Sequence, residues 1–565
     1  MIHLLVGLFI IILTYQSINT LIPHYLLIPS QDWKQKISKV IEYPKPIYLK
    51  VGHKRSSFRR RLILASKCPS FYNNYTNNKL KIYPDDYTAD FINEMRRRDL
   101  NDPNRKLLIG FFHPYANNGG GGEKVLWQAI KATQLANDKN ICVVYTVNHE
   151  TPKDILHKTK EKFNLEFDSS RIVFIYTRKF NNLIDGKYWK NFTIIGQLLG
   201  TVLLTLESIF ELSPDVFIDT QGLPSSYLVV SWNLKIPIMS YTHYPILQQD
   251  MFNKLKVNSP KNLIKFAYWK LLYYFYVYLG TKIDITLANG TWTYNHLCKI
   301  WSWNKYYKKK IEILYPPCGD FIDSTSDKKL NRLLYVAQFR PEKRHDLILK
   351  EYKIYLQKQF PNIDKPTDEI PTIVFAGSTK NDFTTLDYLK KKVDELELSQ
   401  FVEFIVDSSY NKIIELVSTC KFGINGMWNE HFGIGVVEYL SKGCIPIVHA
   451  SAGPLLDIVT GEEIKDWYNE AGLFFKCYED PDFKGVEKDG FLQFDNKSYP
   501  TFSKLLELLI IEDINFDQIS SNGLKLVDKF SNKQFNIKWI NYINELDVLE
   551  KKYREERRSK LEQVY

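Results

Sequence analysis

Two glycine-rich segments, each set between a strand pattern and a helix pattern, most constrain the fold of this 565-residue chain. The first is a run of four glycines that follows the apolar residues 107–112 and precedes a helical pattern starting at Glu123. The second, Gly433-Ile434-Gly435, stands between the apolar residues 422–424 and the helical pattern of residues 436–442. A strand, a glycine loop and a helix in this order open a Rossmann-like unit. The chain is therefore predicted to be an α/β protein with two such units.

Short apolar runs alternate with helical patterns on both sides of a break near residues 314–320. This alternation predicts parallel sheets that are covered by helices on both faces. The polar segment 324–329 is typical of a linker. We therefore predict four parts of the chain: an N-terminal membrane anchor at 1–30, Rossmann-like domains at 40–318 and 325–530, and a charged C-terminal helical tail at 531–565.

The N-terminal residues 1–30 contain no Lys, Arg, Asp or Glu. A transmembrane helix needs about 20 residues, so this segment is long enough to span a bilayer. A secretory signal peptide is the alternative, but it would normally begin with positive charge. The first lysines, Lys34, Lys36 and Lys39, follow the segment and predict that the body of the protein faces the cytosol. Seven scattered cysteines without CxxC spacing agree with a reducing compartment.

The formal net charge of +11 favours an anionic partner, such as nucleic acid, a membrane surface or a phosphorylated substrate. The sequence contains no zinc-finger spacing, aromatic RNA-binding signature or basic heptad, so nucleic acid is not expected as a partner. Residues 192–206 carry no charge, and residues 266–279 combine many aromatic side chains with Lys270. Both patterns fit contact with a bilayer as well as an ordinary core helix, and the sequence leaves the two alternatives open.

Glu430 and Glu438 flank the second glycine loop, with seven residues between them. Glycines at a helix start allow close backbone approach, and the N–H groups and helix dipole favour an anion such as a diphosphate. If both glutamates were helical, roughly 12 Å along the helix axis would separate them. That spacing suits a sugar nucleotide, because each carboxylate can accept paired hydroxyl groups from the sugar or the ribose. For the spacing alone, a capping Glu and a solvated helix Glu are the alternative.

The segment 429–438, Asn-Glu-His-Phe-Gly-Ile-Gly-Val-Val-Glu, resembles the Glu-x7-Glu motif of retaining GT-B glycosyltransferases. The resemblance implies a fold of two Rossmann-like domains facing a cleft, in which the C-terminal domain binds the nucleotide sugar. It implies that Glu430 faces the donor sugar and that Glu438 binds the ribose. The amides of Gly433, Ile434 and Gly435 are then expected to hold the diphosphate.

A basic element, residues 337–345, ends the first predicted strand of the C-terminal domain. It resembles the Gly-Arg-x-x-x-Glu-Lys element of the same class, whose cations neutralise the leaving diphosphate; a plain basic loop is the alternative. The lysine of that element corresponds to Lys343. Gln338 stands at the usual arginine position, and Arg340 is the candidate for the arginine role. Because such cations act where other families use a metal, neither a metal nor a cofactor is expected.

The four glycines Gly119, Gly120, Gly121 and Gly122 can cradle a phosphate or form only a flexible turn. No Gly-Lys-Ser/Thr follows them, which excludes a Walker A loop. His243 ends a predicted strand and precedes a Pro turn, where ligand crevices form in α/β sheets. The resemblance implies that the loop lies at the interdomain cleft, near the diphosphate and the acceptor. It also implies that His243 contacts the donor sugar near the reacting carbon, although a histidine satisfied by the backbone is the alternative.

Four longer sequence segments indicate a more specific family within this class. The segments 113–127, 243–245, 338–343 and 428–433 are together similar to the dolichol-pathway α-1,2-mannosyltransferases of the endoplasmic reticulum (ER), and the similarity covers most of residues 105–480. It implies transfer of the fourth and fifth mannoses from GDP-mannose to dolichol-diphosphate-linked Man3GlcNAc2, with retention, on the cytosolic face of the ER membrane. A complex with other mannosyltransferases of that pathway would be compatible with it. The predicted catalytic residues are His243, Glu430, Lys343 and Arg340.

Two other functions are weighed against this one. The first is a retaining GT-B transferase with a different donor or a different lipid acceptor, which the general motifs alone do not exclude. The second is a catalytically silent membrane scaffold that has kept the fold. The presence of Glu430, Glu438, Lys343 and His243 argues against the scaffold.

Overall fold

The computed structural model describes residues 107–562 except 149, 212, 248–251, 253–258, 321–328, 381, 460–466 and 495–496, together with Thr14. Apart from Thr14, the membrane anchor predicted at residues 1–30 lies outside the described residues. Within the described part of the chain, no helix combines the length and the apolar character that crossing a membrane requires.

The described residues form two compact units. The first unit holds the described residues up to Ala288, His296–Glu312 and the helix residues from Asn536 onward, and the second holds Asn289–Asn295 and Ile313–Phe535. The short segment 289–295 belongs to the second unit because the hydroxyl of Thr291 donates to the Asp457 carboxylate at 2.5 Å.

The first unit is built on a seven-stranded sheet. Its strands are β1 (Leu107–Phe112), β2 (Asn140–Thr146), β3 (Ile172–Tyr176), β4 (Val216–Asp219), β5 (Ile238–Thr242), β6 (Ile285–Ala288) and β7 (Lys310–Ile313). The strand order is β3-β2-β1-β4-β5-β6-β7, and the pairs from β3 to β6 are parallel. Every residue of β1 is buried, as expected for a strand covered on both faces.

Helices connect these strands. They are α1 (Gly121–Ala136), α2 (Pro152–Phe163), α3 (Thr193–Glu211), α4 (Ser225–Asn233), α5 (Pro260–Gly280) and α6 (Thr291–Ile300). Helix α1 begins inside the run of four glycines, two residues earlier than the predicted start at Glu123. The apolar residues 192–206 and 266–279 lie in α3 and α5 apart from Phe192.

The second unit contains another seven-stranded sheet. Its strands are β8 (Leu330–Val336), β9 (Thr372–Gly377), β10 (Val402–Val406), β11 (Cys420–Asn425), β12 (Ile445–His449), β13 (Tyr468–Asn469) and β14 (Gly472–Phe475). The order is β10-β9-β8-β11-β12-β14-β13, and all pairs are parallel except the antiparallel pair of β13 and β14. Its helices are α7 (His345–Gln359), α8 (Thr384–Glu395), α9 (Tyr410–Thr419), α10 (Ile434–Ser441), α11 (Phe502–Ile511) and α12 (Phe516–Leu526).

A small antiparallel sheet adds to the second unit, with strands β15 (Glu487–Lys488), β16 (Phe491–Phe494) and β17 (Lys497–Pro500). The sequence predicted the strand regions of β8 to β12 but none of β13 to β17. Strands of two to four residues carry too short an apolar pattern to be separated from loop sequence.

The C-terminal helix α13 (Asn532–Glu562) packs into the first unit from Asn536 onward. Trp539 is fully buried, its ring stacks on Phe111 at 6.4 Å, and its indole N–H donates to the Thr133 hydroxyl at 2.9 Å. Tyr553 donates to the Asp284 carboxylate at 2.8 Å. The described helix Asn532–Glu562 lies within the segment predicted as a helical tail at 531–565, and its residues from Asn536 onward contribute to the core of the first unit.

Candidate functional site

Three loops of the second unit start at the carboxyl ends of β8, β11 and β12, which are neighbours in the sheet. The strand order reverses between β8 and β11, and this switch point is where open α/β sheets bind ligands. The loops carry residues 337–344, 426–433 and 450–453. The sheet thus brings the basic element and the Glu-x7-Glu segment together, although about ninety residues separate them in the sequence.

Lys343 and Glu430 form the central contact of this site. The Lys343 ammonium donates to the Glu430 carboxylate and lies 3.1 Å from the sulfur of Met427. The amide of Asn425 lies 3.5 Å from the same carboxylate oxygen. The Lys343 and Glu430 side chains are 21% and 15% exposed, so the pair is shielded yet reachable. Two residues predicted to meet the diphosphate and the donor sugar therefore touch each other.

Tyr335 fixes the loop that carries Lys343. Its hydroxyl donates to the Lys343 carbonyl oxygen at 2.6 Å and accepts from the Gly426 N–H at 3.1 Å. The ring is fully buried, and burial raises the pKa of Tyr335. One neutral hydroxyl therefore ties the loop after β8 to the loop after β11, and so holds the lysine beside Met427 and Glu430.

The backbone around Glu430 is held on both sides. Asn429 has φ +54°, a left-handed conformation that non-glycine residues adopt rarely, and its N–H donates to the Ser451 hydroxyl at 2.9 Å. The Glu430 carbonyl accepts from the Gly453 N–H at 2.9 Å. A side chain at Gly453 would overlap the backbone of Phe432, so the turn after β12 can approach this loop only with glycine there.

Helix α10 starts at Ile434, preceded by Gly433 with φ +104°. A Cβ atom at Gly435 would meet only the Val336 carbonyl oxygen, at 3.6 Å, so the backbone there can be approached closely. Glu438 lies within α10, whereas Glu430 lies in the loop before it. The estimate that assumed both glutamates to be helical is therefore wrong for Glu430, and no axial spacing follows from it.

The two arginines of the basic element differ in their surroundings. Arg340 is half-exposed and lies 3.7 Å from Glu342, its near neighbour in the sequence. Arg344 has φ +56° and donates to the fully buried Asp480 at 2.7 Å. Arg340 remains a prediction for the diphosphate role, and Arg344 is engaged in the interior of the unit.

One group of metal-ligand side chains in the described part of the chain lies close together: His449, Cys477 and Asp480, with ligand atoms within 4.8 Å of one another. His449 Nε2 and Asp480 Oδ2 are already 2.7 Å apart in a hydrogen bond. The Arg344 guanidinium occupies the other carboxylate oxygen. Since a cation already neutralises this carboxylate, the donor set does not fit a metal ion.

In the first unit, the loops after β1 and β4 meet at the corresponding switch point of the sheet. The Glu123 carboxylate accepts from the Gly120 N–H at 2.6 Å and lies 3.6 Å from His113 Nε2. Burial opposes the charged form, but the hydrogen bond and charge of His113 outweigh it and lower the pKa of Glu123. The buried Glu123 carboxylate therefore links the backbone of the glycine run to His113, the residue that follows β1.

Thr220 connects this cluster to His243. Its hydroxyl lies 2.8 Å from His113 Nδ1, and its carbonyl oxygen lies 3.2 Å from His243 Nε2. Because a carbonyl can only accept, His243 carries its proton on Nε2 in this contact. A Cβ atom at Gly122 would lie 3.6 Å from the same nitrogen. His243 thus stands directly over the glycine run, and the structure brings these two predicted features together.

Sequence reasoning missed the residues that support this geometry. Tyr335 lies within β8, and Met427 and Thr220 follow β11 and β4. Nothing in their types or spacing marks a ligand site. His113 and Glu123 stood within a segment already singled out, and their short separation across the glycines was the available signal.

Two family models match the chain. Residues 106–301 match the model described as "ALG11 mannosyltransferase N-terminus", and residues 320–484 match "Glycosyl transferases group 1". The two matches fall on the two sheets described above. They also cover the glycine run, His243, Lys343 and both glutamates of the Glu-x7-Glu segment.

Relatives match over nearly the whole chain. The GDP-Man:Man(3)GlcNAc(2)-PP-Dol alpha-1,2-mannosyltransferase of Candida albicans is 57% identical, with 98% of each chain covered. The protein of the same name from Debaryomyces hansenii is 52% identical, with 97% of each chain covered. Among solved structures, α,α-trehalose 6-phosphate synthase from Burkholderia multivorans aligns with a TM-score of 0.52 at 10% identity, covering 79% of this chain and 99% of that one. This structural likeness concerns the fold alone, which is the GT-B-like glycosyltransferase fold.

Proposed function

Because the chain belongs to the family of GDP-Man:Man(3)GlcNAc(2)-PP-Dol alpha-1,2-mannosyltransferases, we propose that it transfers mannose from GDP-mannose to dolichol-diphosphate-linked Man3GlcNAc2. The new bonds are α-1,2 linkages, made with retention, and the products carry the fourth and fifth mannoses of the N-glycan precursor. The observation that carries this proposal is the contact between Lys343 and Glu430 at the start of a glycine-opened helix.

The donor is proposed to bind in the second unit. The amides of Gly433, Ile434 and Gly435 stand at the N-terminus of α10, where the helix dipole favours a diphosphate. Lys343 supplies the nearby positive charge, and Arg340 is the candidate for a second. Glu430 accepts hydrogen bonds from the mannose hydroxyls, and Glu438 accepts hydrogen bonds from the ribose hydroxyls. When the donor is bound, Lys343 therefore contacts the phosphate as well as Glu430. Glu430 likewise contacts the sugar hydroxyls as well as Lys343.

The proposed reaction breaks the bond between mannose C1 and the β-phosphate oxygen. The electron pair of that bond leaves with GDP, and Lys343 and the glycine amides stabilise the developing negative charge. The acceptor hydroxyl forms the new bond to C1 on the same face, and its proton passes to the departing phosphate oxygen. No carboxylate nucleophile takes part, so Glu430 holds the sugar and is not proposed to bond to it.

His243 is proposed to contact the donor sugar, and the glycine run to serve the diphosphate or the acceptor. The contacts that support this assignment all lie within the first unit. His243 Nε2 is held by the Thr220 carbonyl at 3.2 Å, above Gly122, at the carboxyl edge of the sheet. A side chain at Gly122 would narrow the space that His243 faces.

The first unit also carries an apolar surface that we assign to the membrane. Helix α5 exposes Leu263, Ala267, Leu271 and Tyr274, which lie on one face because their spacings of four, four and three follow the helix period. Phe192, which is also exposed, contacts Tyr268 of α5 edge-on at 5.6 Å and extends this face toward α3.

One lysine borders the apolar face of α5. By the helix period, Lys270 lies beside Leu263 at the edge of this face, and its ammonium lies over the Phe252 ring at 5.1 Å. An exposed apolar stripe with a cation at its edge fits a helix that lies in the headgroup region of an anionic membrane. Such a helix would hold the first unit at the ER membrane, where the lipid-linked acceptor resides. A cytosolic orientation, the anchor at residues 1–30 and a complex with other mannosyltransferases of the pathway stay predictions.

A transfer assay tests the proposed function. The full-length chain in lipid is given lipid-linked Man3GlcNAc2 and either GDP-mannose or UDP-glucose, and the released glycans are weighed by mass spectrometry. Two added hexoses from GDP-mannose, removable by an α-1,2-mannosidase, are expected, and Lys343→Ala serves as the matched inactive control. Extension from UDP-glucose alone would assign another donor. An unchanged acceptor with folded wild-type protein would support the silent scaffold.

A further inference from the structure

A chain of buried polar side chains runs behind the Glu430 loop and is not used by the proposed reaction. Arg344 donates to Asp480 at 2.7 Å, and the other oxygen of Asp480 lies 2.7 Å from His449 Nε2. His449 Nδ1 lies 2.8 Å from the Ser451 hydroxyl, which accepts from the Asn429 N–H at 2.9 Å. The side chains of His449 and Asp480 are fully buried. The chain ends on the peptide N–H one residue before Glu430.

The donors and acceptors along this chain can be assigned from both ends. The Asn429 N–H donates to Ser451 Oγ, so the hydroxyl proton of Ser451 is available to His449 Nδ1. His449 Nε2 then carries the proton that it donates to the Asp480 carboxylate. Burial lowers the pKa of His449, which keeps the ring neutral, while hydrogen bonds from His449 and Arg344 outweigh burial and hold the pKa of Asp480 at about 2. The five groups thus have one consistent proton arrangement.

Residues at both ends of this hydrogen-bonded series have left-handed backbone conformations. Asn429, Ala452 and Arg344 have φ angles of +54°, +45° and +56°. Non-glycine residues in this region are strained and persist where the surroundings fix them. Each of the three either belongs to the hydrogen-bonded chain or adjoins Ser451. Arg344 also follows Lys343 directly, so the chain reaches both partners of the Lys343–Glu430 pair.

We propose that Asp480, His449 and Ser451 are positioning residues that fix the Asn429 peptide and thereby direct the Glu430 carboxylate toward the donor sugar. Arg344 completes the set by holding Asp480 and by joining it to the Lys343 loop. The inference rests on the proposed mannosyl transfer for its kinetic consequence. Its binding consequence is separate: the end of the set at Asn429 acts on recognition of the sugar, whereas recognition of the nucleotide rests on the glycine amides, Lys343 and Glu438.

The variant Ser451→Ala removes the acceptor of the Asn429 N–H and tests this directly. With Glu430 displaced, kcat is expected to fall about 10- to 100-fold, as misplaced catalytic groups cause. The Kd for GDP-mannose is expected to rise about tenfold, the loss of a hydrogen bond to a charged group, while the Kd for GDP stays within about twofold. Ser451→Thr, which restores the hydroxyl, is expected to recover most of kcat. Ser418→Ala, in helix α9, is the matched control and is expected to change none of these values.

The ratio of the two Kd values separates positioning from simple destabilisation. A loosened fold would weaken GDP and GDP-mannose equally and would not be repaired by threonine. Equal weakening, or an unchanged kcat and unchanged Kd ratio in Ser451→Ala, would overturn the inference. Because the Kd ratio needs no turnover, it decides the inference even if the wild-type chain transfers no mannose, a result that would instead overturn the proposed function.

Discussion

Removing the ammonium of Lys343 should damage activity far more than stability. Lys343→Ala deletes the cation beside the proposed diphosphate site and, among the residues that the structure describes, leaves the Glu430 carboxylate with the 3.5 Å hydrogen bond from the Asn425 amide. Losing one preorganised charge partner of a leaving group typically lowers kcat/KM about 10²- to 10³-fold. The assay is GDP release from GDP-mannose in the presence of the lipid-linked acceptor.

The stability cost follows from the burial of the pair. Exposed ion pairs contribute about 0–1 kcal/mol, and breaking a fully buried pair costs about 3–5 kcal/mol. With side chains 21% and 15% exposed, the Lys343–Glu430 pair lies between these limits, so a loss of about 1–2 kcal/mol is expected. That corresponds to a fall in Tm of roughly 2–8 °C for a domain of this size.

A double-mutant cycle isolates the contact. Because Lys343→Ala and Glu430→Gln remove the same pair, the double variant should lose less stability than the two single losses added, by about 0.5–2 kcal/mol. The control is Lys350→Ala in helix α7, whose exposed ammonium lies 3.5 Å from Asp346 and should alter neither Tm nor kcat/KM appreciably. A kcat/KM within threefold of wild type for Lys343→Ala, or strictly additive stability losses, would refute this reasoning.

Three further predictions concern other parts of the chain. Glu438→Ala should weaken GDP binding about tenfold, since a hydrogen bond to a carboxylate contributes about 1.5–3 kcal/mol. Calorimetry measures the Kd for GDP, and an unchanged Kd in this variant would contradict the role of Glu438 at the ribose. Burial lowers the pKa of His345 to about 3 and that of His449 below its usual value, so below pH 6.5 the unfolded chain binds protons that the folded chain excludes. As the pH falls below 6.5, the free energy of unfolding should therefore decrease by up to about 1.4 kcal/mol per pH unit for each ring. The measurement is the dependence of Tm on pH, and the same dependence in His345→Phe as in the wild type would argue against this. The emission of an environment-sensitive fluorophore attached to Leu271→Cys should shift to shorter wavelength when anionic vesicles are added. The same label on Leu135→Cys, which replaces another exposed leucine, should show no shift. Equal shifts at both positions would contradict the assignment of α5 to the membrane surface.

The sequence predicted the fold well where the core strands are buried on both faces. Strands such as β1 and β12 are continuous apolar runs, and glycine loops mark the helix starts beside them. It could not predict that α13 completes the first unit, because the contact of Trp539 with Thr133 joins residues 406 positions apart. An amphipathic, charged helix gives no sign in its own sequence of which surface its apolar face will cover.

The candidate site divides in the same way. Glu430, Glu438 and Lys343 were found from local motifs, because a ligand contacted by backbone amides imposes residue types at fixed spacing. Arg344 and Asp480 carry no such mark. Their contact joins the loop after β8 to the segment after β14, and only the folded sheet brings the ends of these two strands close to each other.

The central claim is that the second unit binds the sugar nucleotide between the loops after β8, β11 and β12. The most direct measurement is a crystal structure of the chain with GDP-mannose bound. The account predicts the diphosphate on the Gly433–Gly435 amides with Lys343 beside it, the mannose hydroxyls on Glu430 and the ribose on Glu438. GDP-mannose bound elsewhere, with the Lys343–Glu430 pair unchanged from that in the unliganded chain, would contradict the account.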